Sequence, residues 1–423
     1  MMGTNRTKVC ECSRRGLLRM ALGSAVGAAL AEQFALPLFS QEKAGARAKR
    51  CVMVWLMGAP SQIDTLDPKP GMETGGPFGD IETTAKAIRI SENLPLLAKQ
   101  MKHMSLIRTV NSKDPNHDTA QYTLHTSYRK AADVEHPHVG SVVASELGET
   151  TPDLPMAVVL GGAPPVGGGY LPAERGPIVF DRIAAPAEDV LPSTNNPRER
   201  LERRWELLKA SEERFAKDHE DKKVEERRRA YDKAYQVLTS ERVKAFDVKR
   251  ESDDMRRLYG DTDFGNAVLM SRRLLEAGTR FVEVMYGDWD THNDNHNRVK
   301  KLCGEIDRPV AALLQDLAQK KMLDETLVLW FGEFGRTPRI NAANGRDHWT
   351  TWTVGLAGGG IQPGRVIGET DELGMAIKSR PVSTADLFAT IYQCFGIETE
   401  KKLVTVPRPM KILEGGKAVG ELF

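Results

Sequence analysis

The sequence predicts an α/β fold: a central, mostly parallel sheet flanked by helices. Three observations predict it. Short apolar runs recur along the chain at Cys51–Met57, Met104–Val110, Pro155–Leu160, Phe281–Tyr286 and Leu327–Phe331, each bounded by turn residues as strands buried on both faces are. Helical patterns separate most of them, the signature of a parallel sheet with crossover helices. Polar clusters follow directly on the ends of four runs, where open α/β sheets gather their ligands.

The 423 residues suffice for one large α/β domain or two ordinary ones. A formal charge of +1 leaves no basic excess for a nucleic-acid footprint. The N-terminus carries a targeting signal: Ser13-Arg14-Arg15-Gly16-Leu17-Leu18 is a twin-arginine pattern, followed by the apolar run Met20 to Ala31. That run is too short and too rich in Gly and Ala for a membrane span. Ala29-Leu30-Ala31 and Ala44-Gly45-Ala46 are both acceptable cleavage sites. Residues 1–46 are therefore expected to be leader and linker, and 47–423 a single domain. The twin-arginine export machinery is the implied partner, the periplasm or exterior the destination, and no permanent span is expected. Beyond the leader, Cys51, Cys303 and Cys394 form an odd, widely spaced set that supports neither a disulfide framework nor a thiolate zinc site.

In chain order, the strand Cys51–Met57 breaks at Gly58-Ala59-Pro60-Ser61, with Asp64 and Asp67 close behind. A helix is expected from Leu94 to Lys102, then the strand Met104–Val110. Asn116-His117-Asp118-Thr119 follows, leading into a helical pattern through Tyr122 and Leu124. His136-Pro137-His138 precedes a helix over Ser141–Leu147. Pro155–Leu160 reads as a strand and Gly161–Gly169 as a loop. From Pro197 to about Tyr259 charged residues dominate, with Leu201, Trp205, Leu208 and Phe215 at helical intervals. This is one amphipathic helix or a pair with a narrow apolar stripe, and its mixed charges make a solvated face. A helix over Gly265–Ala277 stops at Gly278, a C-cap residue. The strand Phe281–Tyr286 delivers Asp288, Trp289, Asp290 and His292 at its end. A helix over Val299–Lys320 leads to the apolar strand that ends in Glu333, Arg336, Asp347 and His348. Val354–Ala357 reads as a further strand, and Ser383–Phe395 as a helix opened by the capping box Ser383-x-x-Asp386.

Four polar clusters thus sit at strand ends: Ser61/Asp64, His117/Asp118/Thr119, Asp288/Asp290/His292 and Glu333/Asp347/His348. A parallel sheet sets such ends along one edge, so clusters far apart in sequence can converge. Carboxylates with imidazoles suit a divalent ion: Zn, Mn or Fe, or Mg and Ca where carboxylates dominate. Asp288-x-x-x-His292 and Asp290-x-His292 let one loop supply two ligands, and Asp347 and His348 can reach the same ion. His117 suits a helix cap as well as a ligand. His125 is expected to be packed or exposed, His136 and His138 could line the cleft, His296 backs His292, and His219 is solvated. No nucleophile elbow, P-loop or dinucleotide fingerprint is present.

Gly58-Ala-Pro-Ser-Gln-Ile-Asp-Thr-Leu-Asp-Pro-Lys-Pro70, Trp289-Asp-Thr-His292, Gly332-Glu-Phe-Gly-Arg-Thr-Pro338 and Gly345-Arg-Asp-His348, with the twin-arginine leader and His138-Val-Gly-Ser-Val-Val, resemble the DUF1501 family over nearly the whole mature chain. That family is uncharacterised and belongs to the alkaline phosphatase and sulfatase superfamily. The resemblance implies a largely parallel sheet between helices with a metal centre at its strand ends. Asp288-x-x-x-His292 is similar to the superfamily's Asp-x-x-x-His ligand pair, and His348 to its later lone histidine. The strand from Thr326 is similar to the one bearing the sulfatase Ser-Asp-His-Gly motif, here Gly332-Glu333-Phe334-Gly335. Ser383–Gly396 resembles a sulfatase helix, with Asp386 matching and Ala389 replacing a proline. Where sulfatases carry their nucleophile motif, this chain has His117-Asp-Thr-Ala-Gln ahead of Leu124-His-Thr-Ser127.

The expectation is a metal-dependent hydrolase of a phosphate or sulfate ester. One or two divalent ions (Zn, Ca, Mg or Mn) would be drawn from Asp64, His117, Asp288, Asp290, His292, Glu333, Asp347 and His348. Arg336, or Arg346 in its place, would grip the anion. Ser61, Thr65 and Thr119 are the candidate nucleophiles, with direct attack by water as the alternative. The substrate class is a small anionic ester or a sulfated glycan. Two other readings stay open: a non-catalytic relative that binds a glycan or a protein partner, and redox or amidohydrolase-like chemistry at the same metal.

Overall fold

The computed structural model describes residues 47–183, 190–192, 197–218, 222–403 and 409–423. The twin-arginine leader and His219 lie outside them. Nine strands form the central sheet: β1 (Arg50–Met57), β2 (Met104–Asn111), β3 (Ala157–Leu160), β4 (Ile178–Phe180), β5 (Phe281–Gly287), β6 (Thr326–Phe331), β7 (Thr351–Ala357), β8 (Val366–Ile367) and β9 (Val382–Ser383). Their order is β8-β2-β7-β6-β1-β5-β3-β4, with β9 also paired to β2. β1 runs parallel to both β5 and β6, and β3 parallel to β5 and β4. β7 is antiparallel to β6 and to β2, so β2 points the same way as β6. Every strand except β7 therefore has its C-terminal end at one edge, and the expected mostly parallel sheet is present.

Pleating sends alternate residues of β1 to opposite faces. Val52, Val54 and Leu56 join one core with helices α5 (Asp263–Ala277) and α6 (Asn295–Gln319). Cys51, Met53 and Trp55 join a second core with α1 (His117–Thr126), α2 (Val139–Leu147) and α7 (Thr384–Cys394). The result is three layers, helices on both faces of one sheet. A fully buried side chain of this size contributes about 1.5–3 kcal/mol relative to exposure. Packing on both faces thus holds the strand ends, and what they carry, in place. Cys51, Cys303 and Cys394 are buried free thiols. Residues Gly45–Phe423 form one compact unit, and among the described residues no helix is long and apolar enough to cross a membrane.

Where local signals were strong, the elements form as the pattern predicts. Gly278 ends α5 at φ 125°, and Ser383 caps α7 through a complete capping box with Asp386. The charged region forms a pair of helices, α3 (Arg198–Asp218) and α4 (Lys222–Thr239), with Trp205 stacked on Tyr235 at 4.5 Å. Two expectations need correction. The helix expected over Leu94–Lys102 is only Pro95–Ala98 plus a 3₁₀ turn, Met101–His103. The Asp307 carboxylate on α6 caps its first turn, accepting the amides of Leu96 and Leu97 at 2.8 and 2.7 Å. α6 itself begins at Asn295, four residues before the expected start. Asn295 is fixed there by its amide donating to the Asn344 carbonyl (2.9 Å) and its side chain to Asp64 (2.8 Å).

Candidate metal centre

Four strand ends build the site. β2 leads through Ser112–Asn116 to His117, the first residue of α1, where the Asn116 side chain accepts the amides of Asp118 and Thr119. β5 ends in the turn that carries Asp290 and His292. β6 ends at Phe331, followed by Glu333 and a short hairpin in which Arg336 lies directly opposite His348. β1 supplies the backbone of Gly58 and Ala59. The 292 turn is fastened to the 341–346 loop: Asn341 donates to the His292 carbonyl at 3.0 Å and the Arg346 amide to that of Thr291 at 2.9 Å. The two backbones touch at Gly345, where a Cβ would overlap the His292 carbonyl.

These elements bring three imidazoles and a carboxylate to one point. His292 Nε2 lies 2.9 Å from His348 Nε2 and 3.0 Å from Asp290 Oδ1. His117 Nε2 is 3.4 Å and His348 Nε2 3.7 Å from the same oxygen. Metal–ligand bonds of about 2.0–2.1 Å set tetrahedral donors about 3.3–3.4 Å apart, so these separations suit a shared cation. The opposite ring atoms agree. His348 Nδ1 donates to the Pro115 carbonyl (2.7 Å), His292 Nδ1 to Asp347 (2.7 Å) and His117 Nδ1 to Glu333 (2.8 Å). Each imidazole is held by an acceptor behind it, the arrangement that orients histidine ligands and leaves the Nε2 lone pair facing the metal. His117 Nε2 is buried with no hydrogen-bond partner, as an unfilled ligand atom would be. The donor set fits a divalent ion, with nitrogen-rich coordination favouring zinc over magnesium or calcium.

Electrostatics reinforce the geometry. The hydrogen bond to Glu333 raises the His117 pKa above its ordinary value. Burial lowers that of His348, keeping it neutral. Burial would raise the Asp290 carboxyl, but the Arg336 guanidinium beside it holds it below the usual range. The hydrogen bond from His292 lowers Asp347. Arg336 is fully buried, pairs with Asp290, donates to the Gly58 and Ala59 carbonyls and lies 3.3 Å from His292 Nε2. Its Nη1 also donates to the Arg346 carbonyl at 3.2 Å, so every N–H of the guanidinium has a protein partner and Arg336 contributes positive charge beside the cluster rather than a free pair of donors.

The family model described as "Protein of unknown function (DUF1501)" matches residues 48–423. The chain belongs to that family. No curated protein sequence matches it. The DUF1501 chain is similar to several solved structures. One is the phosphonate monoester hydrolase of Agrobacterium radiobacter, at 11% identity over 88% of this chain and 77% of that one, with a TM-score of 0.41. Another is Ps i-CgsB, at 13% identity over 84% and 73%, TM-score 0.40. A third is the alkaline phosphatase of the Antarctic bacterium TAB5, at 13% identity over 84% and 99%, TM-score 0.36.

Of the residues singled out in the sequence, the DUF1501 site gathers His117, Asp290, His292, His348 and Arg336 around one point. Glu333 and Asp347, expected as ligands, stand behind imidazoles as acceptors. Glu333 Oε1 also takes the Gly58 amide at 2.9 Å, which aims it at His117. The others lie elsewhere. Asp288 pairs with Arg298 at 2.7 Å. Asp64 is fully buried in a two-pronged pair with Arg346, at 2.7 and 3.1 Å, which leaves Arg346 unavailable to an anion. Ser61 Oγ caps the Asp64 amide, Thr65 donates to the Ser61 carbonyl, and Thr119 donates to Asp114 at 2.6 Å. His296 sits against Asp64 at 4.0 Å and not behind His292. Among the described residues, no serine, threonine or cysteine side chain hydrogen-bonds to the converging imidazoles and carboxylates.

A second cluster, passed over in the sequence reading, lies beneath the first. Glu283, in the middle of β5, is fully buried between His125 of α1 (2.9 Å) and His138, the N-cap of α2 (2.8 Å). His138 Nδ1 accepts the Gly140 amide, so its Nε2 carries the proton given to Glu283. His125 Nδ1 faces the Gln121 carbonyl at 2.7 Å and its Nε2 faces the carboxylate. Two acceptors require two N–H groups, so His125 is an imidazolium. His138 in this tautomer offers no lone pair, so the cluster is a buried ion pair and not a second metal centre. Burial opposes the charges, yet Glu283 raises the His125 pKa, and the two histidines bring Glu283 down to about 2. His117, Gln121 and His125 recur at four-residue spacing on one face of α1. A lone Glu inside an apolar strand is the other signal that could have found the cluster, because a buried carboxylate needs a partner.

Proposed function

We propose that this DUF1501 protein is an exported, metal-dependent hydrolase of phosphate or sulfate esters, with one divalent cation held by His117, Asp290, His292 and His348. The convergence of three Nε2 atoms and Asp290 Oδ1, each ring anchored at Nδ1, carries the proposal. When bound, the cation supplies a Lewis acid for the ester and acidifies coordinated water. The chain's own residues do the rest. Arg336, buried and unable to lose its proton, places a fixed positive charge beside the bound anion and meets its oxygens by exchanging the contact to His292 for them. Asp290 holds Arg336 in register with the ligand cluster. Glu333 and Asp347 keep His117 and His292 in the ligating tautomer. Among the described residues no side-chain hydroxyl hydrogen-bonds to the cluster, so water is the attacking group in this reading.

Elemental analysis after metal-replete expression tests it first: about one equivalent of a divalent metal is expected, and less than about 0.2 would reject the reading. His348→Ala should lose the metal and the turnover of aryl phosphate or aryl sulfate while keeping its fold. The same assay addresses the rival reading, a non-catalytic binder of a glycan or a protein, which the engagement of Ser61 and Thr119 with other partners favours. Metal without turnover on either ester supports the rival. The export proposal rests on the leader alone. Lysine at both Arg14 and Arg15 should trap the protein in the cytoplasm, and undiminished export would reject it.

A further inference from the structure

The geometry points to a second anion-binding site, a basic groove on the outer side of α1 that holds the neighbouring charged groups of a saccharide chain bearing sulfate or phosphate esters. The groove has a volume of about 730 Å³ and runs between the 112–114 loop, the outer face of α1, the segment after it, and the start of α7. Its charged lining residues are Lys113, Arg129, Lys130 and Asp114. The three cations are exposed, and among the described residues none makes a hydrogen bond or ion pair with protein. Asp114, the one carboxylate, is already engaged by Thr119 Oγ1 at 2.6 Å. The groove therefore carries three cations against one carboxylate, and an excess of positive charge along a concave wall attracts and retains a polyanion.

Its position relative to the metal centre gives the occupant its shape. The loop that brings Lys113 to the groove places the Pro115 carbonyl on His348 Nδ1. The helix that brings Thr119 and Thr123 to the groove places His117 in the cluster. One loop and one helical turn separate the two sites, so a chain with one ester at Arg336 can lay its next esters along the groove. Asn111, Ser112 and Thr384 add polar side chains that suit sugar hydroxyls, beside the apolar Ile377, Pro381 and Val382. This rests on the ester-hydrolase reading for its meaning, but the groove can be tested without it.

Binding of dextran sulfate, phosphorylated dextran and plain dextran to the purified protein would be measured by calorimetry at fixed ionic strength. An anionic dextran should bind and plain dextran should not, the tighter of the two anionic forms identifying the ester. The variant Lys113→Gln/Arg129→Gln/Lys130→Gln should weaken binding at least tenfold. Lys209→Gln/Arg214→Gln/Lys217→Gln removes the same charge from α3 and should leave binding within twofold. The difference between the two triple variants should persist in chelator-treated protein, which separates failure of the groove from failure of the metal centre. Equal losses in the two triple variants, or binding of plain dextran as tight as that of the anionic forms, would overturn the inference.

Discussion

Replacing Glu283 by glutamine should change how the protein's stability depends on pH. In the native triad His125 donates from both ring nitrogens, to the Gln121 carbonyl and to Glu283, while His138 donates to the second carboxylate oxygen. Glutamine can accept from His138 and donate to His125, satisfying every group if His125 becomes neutral. The substitution therefore swaps an imidazolium for an imidazole. In the native protein the folded His125 pKa is raised above its ordinary 6.5, so its contribution is complete below that value and lost as pH rises through the folded pKa. In the variant, burial and the facing amide depress it, so stability is lost as pH falls below 6.5. One proton of difference amounts to about 1.4 kcal/mol per pH unit. The stability advantage of the native protein should then shrink by about 2.7 kcal/mol between pH 5 and pH 7. At lower pH, Glu283 adds an acid limb that the variant lacks: its carboxyl moves from 4.5 to about 2 on folding, so native stability is lost as pH falls through that interval. Urea unfolding of both chelator-treated proteins from pH 5 to 7.5 measures the difference, and other titrations cancel between them. A gap constant to within about 0.5 kcal/mol would show that His125 is not charged in the native protein.

Arg346→Gln leaves Asp64 buried without its counterion and should cost about 3–5 kcal/mol in urea unfolding. It should also free the 337–347 loop to proteolysis, because Arg346 donates to the Thr337, Pro338 and Thr74 carbonyls. Gly345→Ala must push the loop away from the His292 carbonyl, so zinc affinity by chelator competition should fall at least tenfold with little change in helical content. Metal uptake should weaken on acidification, because the ligating imidazoles must be neutral. Glu333 holds the proton on His117 to higher pH than usual. Calorimetric zinc affinity should then drop about tenfold per unit between pH 7 and 6, and a flat profile would remove His117 from the ligand set.

The sheet was legible because its strands are apolar runs closed by turn residues, and β1, β2, β5 and β6 each form close to the expected bounds. Knowing the strand ends also located the site, since all of its charged groups follow them. The sequence could not separate ligands from supports. Glu333 and Asp290 are both carboxylates just past a strand, and only the fold shows that one stands behind an imidazole and the other before three. Asp64 misled for a similar reason. Its partner Arg346 is 282 positions away, and nothing local distinguishes a carboxylate awaiting a metal from one locked to a guanidinium. The cap of the short helix Pro95–Ala98 is another long-range contact, its first-turn amides held by Asp307 some 210 positions on.

Phe334 bears on how many cations the centre takes. It occupies the position of the histidine in the sulfatase-like motif and is fully buried, its ring centroid 4.8 Å from that of His117 and 4.6 Å from that of His348. A phenyl ring wedged beside two imidazoles of the proposed ligand set supplies no donor where a second ion would need one. Glu333 offers little more. Its Oε1 is committed to Gly58, His117 and Gln121, and only the buried Oε2 lacks a partner. A second ion there would have one protein oxygen and would have to draw its other donors from water at a buried atom. The remaining positive charge is Arg336, on the side of the cluster facing Asp290. In the proposed reading the centre takes one cation beside one guanidinium, and zinc titration of the chelator-treated protein should saturate at about one equivalent. Saturation at two would mean that Phe334 swings out of the core to admit the second ion, and would refute the single-ion reading.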